Sequence, residues 1–335
     1  MTSTFSSVPL DEIEHVTHRA LKSHGAGDFQ AAEVAKAVRQ AEATGNRICG
    51  LYYLESYCQQ LQSGRVDGQV TPKVTTTRAA ALTVDAGFGF AQPAFAHGLA
   101  PAIEAAQRYG VATLAIAHAH TCTALGYFTA QIARAGCIGF GATNASPIVA
   151  PPGGKQRMIG TNPIAFSVPD GEGGIAMQFD MSTTAVALGK ITMAKAAGEA
   201  IPEGWAVDAD GKPTTDPTAA LGGALVSMGG AKGWGLGVMA ELLAAGLTGS
   251  VLSRDVNPLK APEGPPHDLG QYYILIDPGT SEAFSDRLSA LIALVATEPG
   301  ARLPGSETQM KDPVQIPNDL WALATRLAEG PRPAA

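Results

Sequence analysis

Residues 111–143 decide the fold. Val111-Ala-Thr-Leu-Ala-Ile-Ala117 is a nearly unbroken apolar run, and the loop His118-Ala-His-Thr-Cys-Thr123 follows it. Apolar residues then recur at helical spacing over 127–135, and Cys137-Ile-Gly-Phe-Gly-Ala-Thr143 is a second apolar run. Short continuous apolar runs fit strands covered on both faces, and a helix between two of them is a βαβ-like unit of an α/β sheet. Working outward, Thr- and Val-rich alternation over 70–74 and 81–84 predicts two strands, and 92–110 predicts a helix of mostly small residues. Segments 164–168, 175–181 and 272–276 predict further strands; 187–198, 235–249 and 285–296 predict further helices. Segment 201–221 is polar and proline-rich and reads as a loop, as does 257–269.

A helical part precedes the sheet. Ile13, Val16, Ala20 and Leu21 share one face of a helix over 9–24, which Gly25 and Gly27 stop. Asp28 is placed to cap a second helix carrying Ala31, Val34, Ala35 and Val38 as far as Gly45. Asn46-Arg-Ile-Cys-Gly50 is a tight connection, and Leu51, Leu54, Tyr57, Cys58 and Leu61 mark a third helix ending near Gly64. Residues 1–65 are too thin a unit to fold alone. We expect them to pack, with 285–335 nearby, on an α/β body spanning 66–284. The tail after Pro331 is expected to fray.

The 335 residues are 45% hydrophobic and only 16% charged, against a usual ~25% charged. So apolar a chain is not disordered, and this length buries a core without covalent staples. Its 23 cationic and 30 anionic side chains leave a net charge of −7 with no basic stripe. That argues against nucleic acid, whose binding takes clustered Lys and Arg. Cys49, Cys58, Cys122 and Cys137 lie far apart, as expected of free thiols in a reducing compartment. No basic and apolar leader opens the chain, and the longest apolar stretch, 234–252, is interrupted by Glu241 and glycines. Neither a signal peptide nor a membrane span is expected, and the default location is cytoplasmic.

No G-x-G-x-x-G joins a strand to a helix, and Gly229-Gly-Ala-Lys-Gly-Trp-Gly235 has neither the spacing nor the Ser/Thr of a P-loop. A dinucleotide would be bound without the usual glycine fingerprint. The loop 117–123 stands between strand and helix, where backbone amides meet ligands. His118 and His120 have metal-ligand spacing but no third ligand, so no metal is expected, and the plainer reading is a capping loop with one hydrogen-bonded histidine. Pro151-Pro-Gly-Gly154 and Gly160-Thr-Asn-Pro163 are either plain turns or a backbone shaped for a ligand, with the Thr161 hydroxyl as donor. Phe179-Asp-Met-Ser-Thr-Thr184 either starts a helix or lies at a strand end that holds a ligand.

The segments GFGFAQPA (87–94), GTNPIAF (160–166), FDMSTTAVALGKI (179–191), IPEGWAVDADGKPTTDP (201–217) and GGAKGWGLGVMAELLAAGLTG (229–249) resemble the type 2 malate/L-lactate dehydrogenase-like oxidoreductase family. The resemblance runs over about 9–310, and VDGQVTPKV (66–74) with FAQPA is nearest to its Δ1-piperideine-2-carboxylate/Δ1-pyrroline-2-carboxylate reductase branch. It implies a non-Rossmann NAD(P)-binding α/β fold with a helical N-terminal part, a homodimer, and NADPH or NADH as cofactor. By motif, the cofactor would meet Thr121, Cys122, Thr123, Ala124 and Leu125, then Asp180, Met181 and Ser182, then Ala231 and Lys232, then Pro304, Gly305 and Ser306. Thr161 would touch the substrate.

The resemblance also marks a departure. Members carry Ser-His-Gly-x-x-Arg after the second helix, the His as acid/base and the Arg on the substrate carboxylate. Here Ile48-Cys-Gly-Leu-Tyr-Tyr53 sets Cys49 at the His and Tyr53 at the Arg, and Lys190 matches the branch's catalytic Asp. A ketone oxygen becomes an alkoxide as hydride adds and needs a strong proton donor, whereas an imine nitrogen can arrive protonated. The expected function is therefore NAD(P)H-dependent reduction of a small cyclic 2-imino acid. The alternatives are a 2-hydroxy acid dehydrogenase and a non-catalytic NAD(P)-binding homologue. Lys190 is expected to supply charge and proton, with Tyr53 or His120 orienting the substrate and Arg47 and Tyr52 lining it. Cys49 would keep the space of the lost histidine.

Overall fold

The computed structural model of the chain describes residues 5–306 and 308–331, and every count below refers to these. The tail expected to fray falls almost wholly outside them. The chain opens with β1 (Phe5–Val8), α1 (Leu10–Ser23) and α2 (Asp28–Ala43). Ile13, Val16, Ala20 and Leu21 are buried along α1, and Ala31, Val34, Ala35 and Val38 along α2, so the helical spacing puts both apolar faces inside. Gly27, not Asp28, is the N-cap of α2. The Asp28 carboxylate instead faces Lys22 and His18. Two single 3-10 turns, Arg47–Cys49 and Leu51–Tyr53, then lead through Gly50 into α3 (Leu54–Ser63). A Cβ at position 50 would collide with the Glu42 carboxylate and displace it from the Leu51 amide, which it accepts at 2.7 Å.

The α/β part contributes β2 (Lys73–Arg78), β3 (Ala81–Asp85), α4 (Ala91–Tyr109), β4 (Val111–Ala119), α5 (Gly126–Arg134), β5 (Ile138–Thr143), β6 (Ile164–Pro169) and β7 (Ile175–Met181). Next come α6 (Leu188–Ala197), β8 (Ala206–Val207), β9 (Pro213–Thr214), α7 (Pro217–Gly222), β10 (Ala224–Leu225) and α8 (Ala231–Glu241). The chain closes with β11 (Leu269–Ile276), α9 (Phe284–Ala296), β12 (Val314–Pro317) and α10 (Asn318–Ala328). Seven strands form one mixed sheet in the order β2-β3-β4-β11-β5-β6-β7. The strand–helix–strand unit is present, but its two strands are not neighbours. β11 lies between β4 and β5, antiparallel to both, with Tyr273 opposite Leu114 on one side and Gly141 on the other. Of the neighbouring pairs in this sheet only β3 and β4 run parallel.

Of the five apolar clusters among the described residues, three are large. One joins α1–α3 to β12 and α10 through Ile13, Leu21, Val34, Leu54, Tyr57, Ile316 and Ala324. The second lies between α4, α5 and the sheet, through Val84, Phe95, Leu114, Ile116, Phe128 and Tyr273. α4 approaches β3 and β4 so closely that a Cβ on Gly98 would strike Leu114 and Val84, which explains a glycine inside a helix. The third holds Val149, Ile159, Val186, Ile191, Ile201, Ala206 and Leu225.

Several elements depart from the sequence expectation. Segment 201–221 is not bare loop: it carries β8, β9 and α7, and β10-β8-β9 is a small sheet of its own. The helix expected from 235 begins at Ala231 and ends in a π-helical turn, Leu242–Gly246. The tail divides. β12 pairs with β1 and α10 covers the helical part, whereas α9 faces Ala133, Pro169 and Pro278 across a hollow of about 270 Å3. No helix is long and apolar enough to cross a membrane.

The segment before β11 is pinned to the helical part by a buried cation. Arg65, 1% exposed, donates from Nε to the Pro265 carbonyl at 2.9 Å and from Nη1 to those of Pro258 and Ala261 at 3.0 and 2.5 Å. Gln60 reaches the Leu259 and Ala261 carbonyls at 2.9 and 2.7 Å, and Ser63 reaches Pro262 at 2.7 Å. Arg65→Met would strand the Pro265 carbonyl and leave those of Pro258 and Ala261 with only the Ala261 amide and Gln60 respectively, a carbonyl left unpaired costing about 1–3 kcal/mol. Chemical unfolding should show a loss of about 1–3 kcal/mol. A loss within experimental scatter would mean that the loop is held without the guanidinium.

Candidate active site

Three segments converge on one corner: the turns 47–53, the loop 121–125 after β4, and the end of β7. At β7, Asp180 Oδ2 accepts the Gly126 amide at 2.7 Å. The residue stands open at the cleft rim, yet the walls around its carboxylate desolvate it and raise its pKa, against the lowering effect of the Gly126 and Leu125 amides. Burial, then the nearby Asp180 charge, pushes the Cys49 thiol up to about 12. The same two causes push Cys122 well up. Neither thiol is a nucleophile or a useful acid near neutral pH.

From this corner a cleft of about 370 Å3 runs between α2 and the 304–308 segment, lined by Asn46, Ala124, Gly126, Gln178, Asp180 and Gly305 among others. It adjoins a second cleft of about 460 Å3, which shares Thr44, Pro304, Gly305 and Thr308 and ends at Arg302 and Lys311. The Pro304 carbonyl accepts the Gln178 amide at 3.0 Å, so the 304–305 backbone is laid along the edge of β7. A long groove with polar lining at one end and two cations at the other fits an extended nicotinamide dinucleotide, whose phosphates are anionic. In such a fit Asp180, Ala124 and Gly126 would flank the nicotinamide end.

Under the corner lies a polar layer. His120, 1% exposed, is joined by Nε2 to Gln60 Oε1 at 2.6 Å and stacks on His267 with ring centroids 3.9 Å apart. His267 Nδ1 accepts the Thr121 amide at 3.2 Å. Burial, then the other imidazole, holds His120 well below the ordinary histidine range; burial, then Arg65, pushes His267 down to about 3. Both rings are neutral.

The predicted residues divide. Cys49, Tyr53, Cys122 and Asp180 are brought together, and Ala124, Pro304 and Gly305 line the cleft. Leu125 is buried, so only its backbone can serve a ligand. Thr121, Thr123 and Ser306 lie in the flanking loops, with the Thr123 hydroxyl on Cys122 and the Ser306 hydroxyl on Leu303. Met181 is exposed, and the Ser182 hydroxyl pairs with Thr184. The Thr161 carbonyl accepts the Thr183 amide and hydroxyl. Ala231 and Lys232 line neither cleft; their turn belongs with a small hollow beside 150–154.

Other expectations are corrected. Arg47 donates to the Gln315 carbonyl at 3.1 Å, because β12 passes close to its turn, and so is turned to the tail rather than to a substrate. The Tyr53 hydroxyl is spent on Leu259 at 3.1 Å. His120 is sealed beneath the corner. Lys190 is exposed on α6, and its ammonium meets no acidic group among the described residues. The cation that does stand in the corner is Lys260, with Nζ 3.6 Å from the Tyr52 ring centroid and 5.0 Å from that of Tyr53. It lies in the segment read only as a long loop, where nothing local marks a lysine as functional. Buried Glu241 was also missed: it accepts from Asn162 at 2.6 Å and from the Ser253 amide and hydroxyl, both at 2.5 Å, tying the 160–163 turn to α8.

A mixed sheet with a helical cover and an extended groove at its edge fit the nicotinamide-dependent oxidoreductase class that its relatives assign. The family described as malate/L-lactate dehydrogenase matches residues 8–318, and the chain belongs to it. It is 38% identical over 307 residues to a Δ1-pyrroline-2-carboxylate/Δ1-piperideine-2-carboxylate reductase of Pseudomonas putida, covering 91% of this chain and 90% of that one. A (2R)-3-sulfolactate dehydrogenase (NADP(+)) of Chromohalobacter salexigens is 38% identical over 300 residues, 89% of this chain and 90% of the other. Among solved structures, Δ1-piperideine-2-carboxylate reductase from Pseudomonas syringae pv. tomato superposes with a TM-score of 0.88 at 34% identity, over 96% of this chain and 99% of that one.

The two buried imidazoles set an acid limit. In the unfolded chain they titrate near 6.5, so below that pH the unfolded state binds more protons than the native state. Stability present above about pH 6.5 is therefore lost as pH falls toward the low native values. Urea unfolding between pH 7 and 5 should show a decline approaching about 1.4 kcal/mol per pH unit for each histidine. A flat profile would show the pair to be solvated.

Proposed function

We propose that the chain reduces small cyclic 2-imino acids of the Δ1-pyrroline-2-carboxylate and Δ1-piperideine-2-carboxylate type, with NADPH as the hydride source. The observation that carries this is that no imidazole or low-pKa acid stands at the place of the family's acid/base histidine. The Cys49 thiol is pushed up to about 12, the His120 ring is buried and neutral, and the Asp180 carboxylate is engaged by the Gly126 amide. A ketone substrate would form an alkoxide without the imidazole acid that the family's histidine supplies. A protonated imine becomes a neutral amine when hydride adds, so the protein has only to orient it, exclude water and balance its carboxylate. The reductases named among the relatives support this reading.

Arg302 and Lys311 at the far end of the groove support NADPH over NADH, since the 2′-phosphate is the group that would meet them. The exposed apolar side chains Leu291, Ile292 and Leu294 on α9 support a homodimer, which light scattering would read as twice the mass of one chain.

Initial rates on both cyclic imines, pyruvate, oxaloacetate and 3-sulfopyruvate, each with NADPH and NADH, test the reading. The imines should be turned over, with the oxo acids slower by ~100-fold or more, the weight of general acid catalysis. Turnover of oxo acids alone would replace it with a 2-hydroxy acid dehydrogenase, and binding of cofactor without any turnover would replace it with a non-catalytic homologue. Lys311→Gln should raise KM for NADPH by about tenfold, as loss of one charge-assisted contact does, and leave NADH unaffected.

A further inference from the structure

We propose that Lys260 holds the substrate carboxylate, replacing from a different loop the arginine whose place Tyr53 has taken. The proposal rests on the imino-acid reading above, because it assumes an anionic substrate in this corner. An anion entering beside Asp180 needs a cation within hydrogen-bond reach. The other cations nearby are engaged or turned away. Arg47 is on the Gln315 carbonyl, the Arg65 guanidinium is sealed among the carbonyls of 258–265, and Lys190 stands on the exposed side of α6.

Lys260 meets the requirement by geometry. Its ammonium stands over the Tyr52 ring and 5.0 Å from the ring of Tyr53, the residue at the arginine position, and close enough to Cys49 for the two to interact electrostatically. Its three donors face no carboxylate among the described residues. The backbone on either side is fixed, since the Leu259 carbonyl is held by Tyr53 and Gln60 and the Ala261 carbonyl by Gln60 and Arg65. The stem therefore starts from an anchored point, which lowers the ordering cost of a flexible lysine on binding. The two tyrosine faces hold the ammonium by cation–π attraction without neutralising it, so it stays available to a carboxylate.

The test uses the full chain saturated with NADPH. Pyrrole-2-carboxylate, a planar ring acid that cannot accept hydride at an imine, and its uncharged carboxamide are titrated by calorimetry. KM and kcat are measured on Δ1-pyrroline-2-carboxylate. Lys260→Met should weaken pyrrole-2-carboxylate binding and raise KM by about 10- to 100-fold, the span expected for one charge-assisted contact. The carboxamide affinity should stay the same, the change in kcat should be much smaller, and Lys260→Arg should restore most of the affinity. Equal losses for acid and amide would mean a structural role and overturn the proposal. So would wild-type affinity in Lys260→Met, or a loss found in Lys190→Met in its place. If no imine is turned over yet acid binding still depends on Lys260, the activity assignment fails and the anion site stands.

Discussion

The guanidinium of Arg65 is the contact on which the corner depends. Burying a cation costs several kcal/mol unless its donors are matched. Here no carboxylate matches it; backbone carbonyls of 258–265 take Nε and Nη1 while the buried Nη2 has no hydrogen-bond partner among the described residues, and those carbonyls gain a donor from across the fold. Arg65 follows the helical part, while 258–265 leads into the middle strand of the sheet. With Tyr53, Gln60 and Ser63 beside it, this side chain fastens the two halves of the site to each other. Tyr52 and Tyr53 come from one half and Lys260 from the other, and they meet only because this seam is closed.

The corner is unusual for what is quiet in it. Two thiols, two imidazoles and a carboxylate are gathered within a small space, a set that in another arrangement would be a nucleophile with its base. Burial keeps the thiols protonated and the imidazoles neutral, while the carboxylate, open at the cleft rim, faces the Gly126 amide. Such a site contributes shape and fixed dipoles more than proton transfer. That matches a reaction in which the cofactor carries the hydride and the substrate brings its own proton.

Much of this was legible in the residues, and the failures have physical reasons. The runs at 111–117 and 137–143 read as strands because their apolar character is local. The partner that separates them, β11, is named by pairings more than a hundred residues apart, which no local period records. β1 and β12 were invisible for the same reason, being four-residue strands that exist only by pairing with each other. At the site, the loop 121–125, the strand end at Asp180 and, through the family resemblance, 304–306 marked the groove, whereas the glycine-rich 229–235 did not, and the resemblance made the place of the lost histidine and arginine readable as Cys49 and Tyr53. Lys260 was not readable. A lysine in a polar loop is usually solvated, and what distinguishes this one is an aromatic pair two hundred residues earlier.

The position of β11 also bears on how the chain is made. During synthesis β2 to β7 emerge first, and the sheet they are to form has a gap at its centre. Until residues 269–276 leave the ribosome, β4 and β5 each present an open edge to solvent or to a chaperone. The last-made strand of the sheet is therefore its keystone, and a truncated product ending before it would expose two sticky borders instead of one folded body. High separation between paired strands also slows folding, since long loops must close before the contacts that reward closure can form.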